Sequence, residues 1–142
     1  MLMATHVRFL DAMENLQRNL HQSSKDHGFW EGPENNNIPT KLMLIVSEVA
    51  EAMEEHRDYG LGSELFHEVR YSGDGEITQF EQKRDSSGKP LLKPEGFAIE
   101  MADVVIRVMD LCERLGINLA DAILIKADYN KHRPMKHGEK AY

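Results

Sequence analysis

The stretch Phe97-Ala98-Ile99-Glu100-Met101-Ala102-Asp103-Val104-Val105-Ile106-Arg107-Val108-Met109-Asp110-Leu111 decides how this chain is read. Its only charged residues are Glu100, Asp103, Arg107 and Asp110. At helical periodicity these fall on one narrow stripe, and the remaining surface is apolar. A helix that is apolar nearly all round is expected to be buried. A bare carboxylate there costs several kcal/mol unless it is paired, protonated or bound to metal. The stretch therefore predicts a buried helix carrying a hard-cation site. A structural ion-pair network, with Arg107 and Asp110 neutralising the stripe, is the alternative.

Upstream, Glu48-x-x-Glu51 repeats the arrangement inside Lys41-Leu42-Met43-Leu44-Ile45-Val46-Ser47-Glu48-Val49-Ala50-Glu51-Ala52. Residues three apart on a helix are neighbours on one face, so each acidic pair can converge on one cation. Two such helices side by side would set four carboxylates, Glu48, Glu51, Glu100 and Asp103, around a cavity. Oxygen-only donors that leave room for water and phosphate suit Mg²⁺. No Cys or E-x-x-H pattern accompanies them, which disfavours zinc and the di-iron bundles. The bland alternative for the first pair is a solvated face shared by Glu48, Glu51, Glu54 and Glu55.

The rest of the chain reads as helices with one interruption. Val7, Leu10, Met13, Leu16 and Leu20 predict an amphipathic helix from about Thr5 to Ser24. Lys25 to Pro39 is irregular, with Gly28, Gly32, Pro33 and three consecutive asparagines, and it holds His27-Gly28-Phe29-Trp30. A second helix, capped by Thr40, runs to about Tyr59, with Leu42, Ile45, Val46, Val49 and Met53 as its core face. Residues 61–95 suggest a β-hairpin or loop insertion, with strands 66–71 and 76–80 about a tight turn at 72–75. The apolar helix follows, from about Glu95 to Leu115, closed by Gly116. Asn118 caps a last helix, with Asp121 three residues on, and Arg133-Pro134 ends it. The expected fold is an all-α bundle of four to five helices in a single domain, 1–142.

Composition narrows the function. A net charge of −7 argues against general nucleic-acid binding. No run of roughly 18 to 20 apolar residues suggests a membrane span, and no secretory signal is evident. The one cysteine, Cys112, reads as a small core residue, and a reducing, cytoplasmic setting is expected. Lys126, Asn130 and Arg133 fall at i, i+4 and i+7 and would present two cations and an amide to a polyphosphate. The alternative is a basic helix end placed against the macrodipole. Trp30, the only tryptophan, would stack on a nucleobase or serve as a core anchor.

Residues 41–52 together with Glu100-Met101-Ala102-Asp103-Val104 resemble the ExxE…ExxD signature of the MazG-like, all-α nucleoside triphosphate pyrophosphohydrolases. His27-Gly28-Phe29-Trp30, Tyr129-Asn130-Lys131-His132-Arg133-Pro134 and His137-Gly138 resemble segments of one branch. The resemblance spans about 25–58 and 95–140. It implies hydrolysis of (deoxy)nucleoside triphosphates to monophosphate and pyrophosphate, with Mg²⁺, or Mn²⁺ in its place, as cofactor. By the same resemblance Glu48, Glu51, Glu100 and Asp103 are metal ligands, with Glu51 also the candidate base. Lys126, Asn130 and Arg133 are then phosphate-side residues, and His27 and Trp30 base-side ones. A homodimer or homotetramer is implied, with no nucleic-acid or membrane partner. The 61–95 excursion replaces the family's short connection. A phosphoribosyl-nucleotide pyrophosphohydrolase and a non-catalytic helical interaction module are the rival expectations.

Overall fold

A computed structural model describes residues 2–60, 66–67, 87–88 and 94–133. The fold is an all-α helical bundle whose described helices are α1 (Leu2–Asp26), α2 (Ile38–Tyr59), α3 (Phe97–Arg114) and α4 (Leu119–His132). A short 3₁₀ turn, Glu34–Asn36, precedes α2. Strands β1 (Phe66–His67) and β2 (Pro94–Glu95) pair antiparallel, Phe66 opposite Glu95 and His67 opposite Pro94. The pairing of 66–71 with 76–80 expected from the sequence lies outside the described residues. None of the described helices is long and apolar enough to cross a membrane.

Contacts divide the chain into two compact units, Met1–Lys41 with Ile106–Tyr142, and Leu42–Val105. In the first, α1 packs against α4 and is fastened to the C-terminal half of α3. Gln17 is buried there, and its amide donates to Glu113 at 2.8 Å and to the Ile117 carbonyl at 3.0 Å. Satisfying both donors makes an amide tolerable in a helix interface. Asn118 donates to Glu14 at 2.8 Å and accepts from the Asp121 amide at 3.1 Å, so the expected cap forms. The end of α3 closes as a Schellman motif: Ile117 N donates to Cys112 O and Gly116 N to Glu113 O. This needs the left-handed φ of +67° that Gly116 adopts without strain.

The three asparagines of the 27–37 segment have separate tasks. Asn35 donates to the Glu31 carbonyl, and Asn36 donates to the Trp30 and Gly32 carbonyls. Asn37 accepts from the Thr40 amide at 3.3 Å. Asn37, not Thr40, therefore caps α2, because its side chain precedes the first helical turn and Thr40 lies within it.

In the second unit, α2 turns the opposite way from its sequence pattern. Glu48 and Ala52 are buried and Ile45 and Glu55 half-buried, whereas Leu42, Val46, Val49 and Met53 are all at least half exposed. Of the predicted core face only Ile45 turns inward. The N-terminal part of α3 does likewise: Glu100 is 3% exposed, while Met101 and Val105 are 43% and 49% exposed. The expectation that α3 is buried all round is thus corrected: Glu100, Met109 and Leu111 are buried, and Asp103, Arg107 and Asp110 are half-buried. Among the described residues, the buried apolar side chains are only Ala52, Met109, Leu111 and Ala120.

Candidate metal centre

The inward stripes of α2 and α3 carry the acids. Gly96 accepts from the Ile99 and Glu100 amides, and this starts α3 with Glu100 in its first turn. A carboxylate there is favoured by the partial positive charge of the helix N-terminus. His56 of α2 meets Phe97 edge-on, centroids 6.2 Å apart, which ties the end of α2 to the start of α3. One carboxylate oxygen from each of Glu48, Glu100 and Asp103 lies within 4.8 Å of the others. Glu48 and Glu100 are buried and Asp103 is half-buried.

This donor set fits a hard divalent cation. Ligands of an octahedral ion at about 2.1 Å stand roughly 3 to 4 Å apart, so small side-chain adjustments close the cluster. All three donors are oxygen, and among the described residues no histidine or cysteine joins them. Glu51, one turn beyond Glu48, is exposed and is not a member of the cluster. The solvated-face alternative therefore describes Glu51 and Glu54 but not Glu48.

The remaining candidate residues belong to the first unit. Lys126 and Asn130 are exposed on α4, and the Lys126 ammonium lies 5.0 Å from the Tyr129 ring centre. Arg133 is the extended residue after the helix, with ψ 139°, so the predicted i+7 position on one helical face is not realised. The helix stops one residue short because the ring of Pro134 disfavours α geometry at the residue before it. His27 is exposed, donates from Nδ1 to the Ser23 carbonyl at 2.7 Å and stacks on Phe29.

Trp30 is half-buried and engaged on two sides. Its Nε1–H donates to both oxygens of Asp110, at 2.9 and 3.1 Å. The Lys41 ammonium stands 4.1 Å from the ring centre, and the Arg114 guanidinium carbon 5.5 Å from it. Asp110 also accepts from His21 Nδ1 at 2.6 Å and from the Ser24 hydroxyl at 2.8 Å. Lys41 donates to the Phe29 carbonyl at 2.7 Å. Burial lowers the Lys41 pKa; the Asp110 carboxylate opposes that shift and Arg107 adds to it. Burial also raises the pKa of Cys112, which favours an inert thiol.

Sequence reasoning missed His21, Ser24 and Lys41 altogether. The one available signal was Asp110 itself, an acid left on the apolar helix after Glu100 and Asp103 had been assigned. Searches against protein families, curated proteins and solved structures found no match for this chain.

Proposed function

We propose that the protein hydrolyses (deoxy)nucleoside triphosphates to nucleoside monophosphate and pyrophosphate, with Mg²⁺ as cofactor and Mn²⁺ as a substitute. The observation that carries this reading is the convergence of Glu48, Glu100 and Asp103, drawn from the two helices that bear the ExxE and ExxD pairs. The resemblance of those pairs to the MazG-like signature supplies the reaction class.

In this reading Glu48, Glu100 and Asp103 hold the cation. A divalent cation there would supply Lewis acidity, neutralising phosphate charge and acidifying water. Water attacks the α-phosphorus, the bond to the bridging oxygen breaks, and pyrophosphate leaves with the electron pair. Glu51 takes the proton of the attacking water, a role open to a carboxylate one turn from the cation ligands. Lys126, Asn130 and Arg133 toward phosphate, and His27 and Trp30 toward the base, belong to the same proposal. So does assembly as a homodimer or homotetramer, for which the outward apolar stripe of Leu42, Val46, Val49 and Met53 is support.

That stripe also favours a second reading, a non-catalytic helical module that binds a partner helix. One experiment separates the two. A panel of canonical and modified triphosphates, with phosphoribosyl-ATP included, is incubated with Mg²⁺ and scored for pyrophosphate against orthophosphate. The hydrolase reading expects pyrophosphate from a triphosphate and none from a folded Glu100→Gln variant. Turnover of phosphoribosyl-ATP alone would reassign the substrate. No turnover of any compound, or full activity in Glu100→Gln, rejects the proposed site.

A further inference from the structure

We propose that Gly96 is the positioning residue of the candidate metal centre: its backbone, in a conformation that glycine alone adopts readily, aims the start of α3 so that Glu100 and Asp103 meet Glu48. The role rests on the reading of those three acids as cation ligands; the conformation of Gly96 rests on geometry alone.

Gly96, the three acids and the β1–β2 pair all belong to the compact unit Leu42–Val105. Pro94 and Glu95 pair antiparallel with His67 and Phe66, and α3 begins at Phe97, so the chain passes from strand to helix through one residue. That residue, Gly96, is buried and has a φ of +115°. A residue bearing a Cβ avoids such a φ. The Gly96 carbonyl accepts from the Ile99 amide at 2.9 Å and from the Glu100 amide at 3.1 Å. One residue thus sets the direction in which the chain leaves the strand and closes the first helical turn. The next residue, Phe97, lies edge-on to His56, a second tie between that turn and the helix that carries Glu48.

The arm from Gly96 to the acids is short, and the tolerance at a cation is small. With a rise of about 1.5 Å per residue, Glu100 lies about 6 Å and Asp103 about 10 Å along the helix from Gly96. Turning the helix by about 10° at Gly96 therefore moves them by about 1 to 2 Å. Cation–oxygen distances hold to within roughly 0.2 Å, and side chains that re-aim by more must leave their preferred rotamers. Gly96→Ala relieves its strain only by bringing φ from +115° to negative values, a change far larger than that arm can absorb.

Gly116 supplies the control. It ends the same helix with a φ of +67°, and a methyl group added there meets nothing within 4 Å. Gly116→Ala strains the opposite end of α3 and leaves its first turn untouched, so it reports what backbone strain alone does.

The probe is Mg²⁺ alone, titrated calorimetrically into each variant, with folding followed by far-ultraviolet circular dichroism. Gly96→Ala is expected to weaken Mg²⁺ binding about tenfold, the loss that follows when the support of a metal ligand is removed. Gly116→Ala should lower Tm yet keep the Mg²⁺ Kd within about twofold of wild type, because the two sites are far apart along the helix. Gly96→Asn, whose side chain tolerates a positive φ better than that of alanine, should fall between wild type and Gly96→Ala. In the pyrophosphate assay, the Mg²⁺ concentration at half-maximal rate should rise by the same factor as Kd, and saturating Mg²⁺ should restore most of kcat.

Equal Mg²⁺ affinity in wild type and a folded Gly96→Ala overturns the positioning role. So does an equal loss in Gly116→Ala, which would make the effect one of general strain. A wild type that binds no Mg²⁺, or binds it no better than Glu100→Gln does, rejects the metal centre and the role of Gly96 with it. Wild-type binding without pyrophosphate release rejects the hydrolase reading alone, and the calorimetric comparison still decides Gly96. Should Gly96→Ala fail to fold, Gly96→Asn against Gly116→Asn decides it by the same measurement.

Discussion

The two halves of α3 use the same residue type for opposite ends. Near its start, Glu100 and Asp103 come together with Glu48, carboxylate oxygens within 4.8 Å of one another. Near its end, Asp110 meets three hydrogen-bond donors. Carboxylate oxygens gathered within reach of one another offer a divalent cation a ready donor set. A carboxylate that accepts from several donors ties together the segments that carry them and stabilises the fold. Acids on one helical stripe can therefore serve two ends: Glu100 and Asp103 join a cluster that could hold a cation, and Asp110 ties α1 and the Trp30 segment to α3.

The strongest test of this contrast is stability without divalent cation. Asp110→Ala should destabilise by about 3 kcal/mol, because it leaves three donors without their charged acceptor. Glu100→Gln should change stability by less than about 1 kcal/mol, since the amide keeps the side chain's volume and most of its hydrogen-bonding capacity. Urea unfolding of both variants in EDTA provides the comparison. The reverse order would mean that Glu100 is the structural acid and Asp110 the expendable one.

The same contrast explains what could be read from the sequence. Helical periodicity revealed the four described long helices, and the paired spacing singled out Glu48, Glu51, Glu100 and Asp103, of which all but Glu51 come together. The orientation of α2 was not legible. An amphipathic pattern assumes that charge faces water, and so it points Leu42, Val46, Val49 and Met53 inward. A helix that turns Glu48 toward Glu100 must rotate that stripe outward. The Asp110 hub escaped for another reason. Its partners His21, Ser24 and Trp30 lie 80 or more positions away in sequence, and no local spacing encodes a contact of that range. Arg133 shows the limit of helical extrapolation, since Pro134 ends the helix before that position is reached.

Cation addition sharpens the contrast from the other side. If the three acids hold Mg²⁺ in the folded state alone, saturating Mg²⁺ stabilises the wild type by mass action, by about 2.7 kcal/mol at a hundredfold excess over Kd. Glu100→Gln should lose most of that gain, and Asp110→Asn should keep it. Thermal melts across an Mg²⁺ titration measure all three. Equal gains in wild type and Glu100→Gln would show that any stabilising cation binds elsewhere.

The smallest expected effect concerns Lys41, whose ammonium lies between the Trp30 ring and the Phe29 carbonyl. Its pKa in the folded protein is lowered from 10.5, chiefly by burial. A lysine with a depressed folded pKa binds fewer protons folded than unfolded within the interval between the two values. Stability then rises with pH across that interval, and the penalty of carrying the buried charge is fully present below it. Asp110 works against the shift and Arg107 adds to it, so the net change is modest. Comparing Tm for wild type and Lys41→Met from neutral pH to above 10.5 isolates this contribution from other groups that titrate in alkali. The difference, wild type minus variant, should climb as pH approaches 10.5. A difference that stays flat would mean that the ammonium remains as well solvated over Trp30 as in the unfolded chain; one that falls would mean that the Asp110 carboxylate outweighs burial.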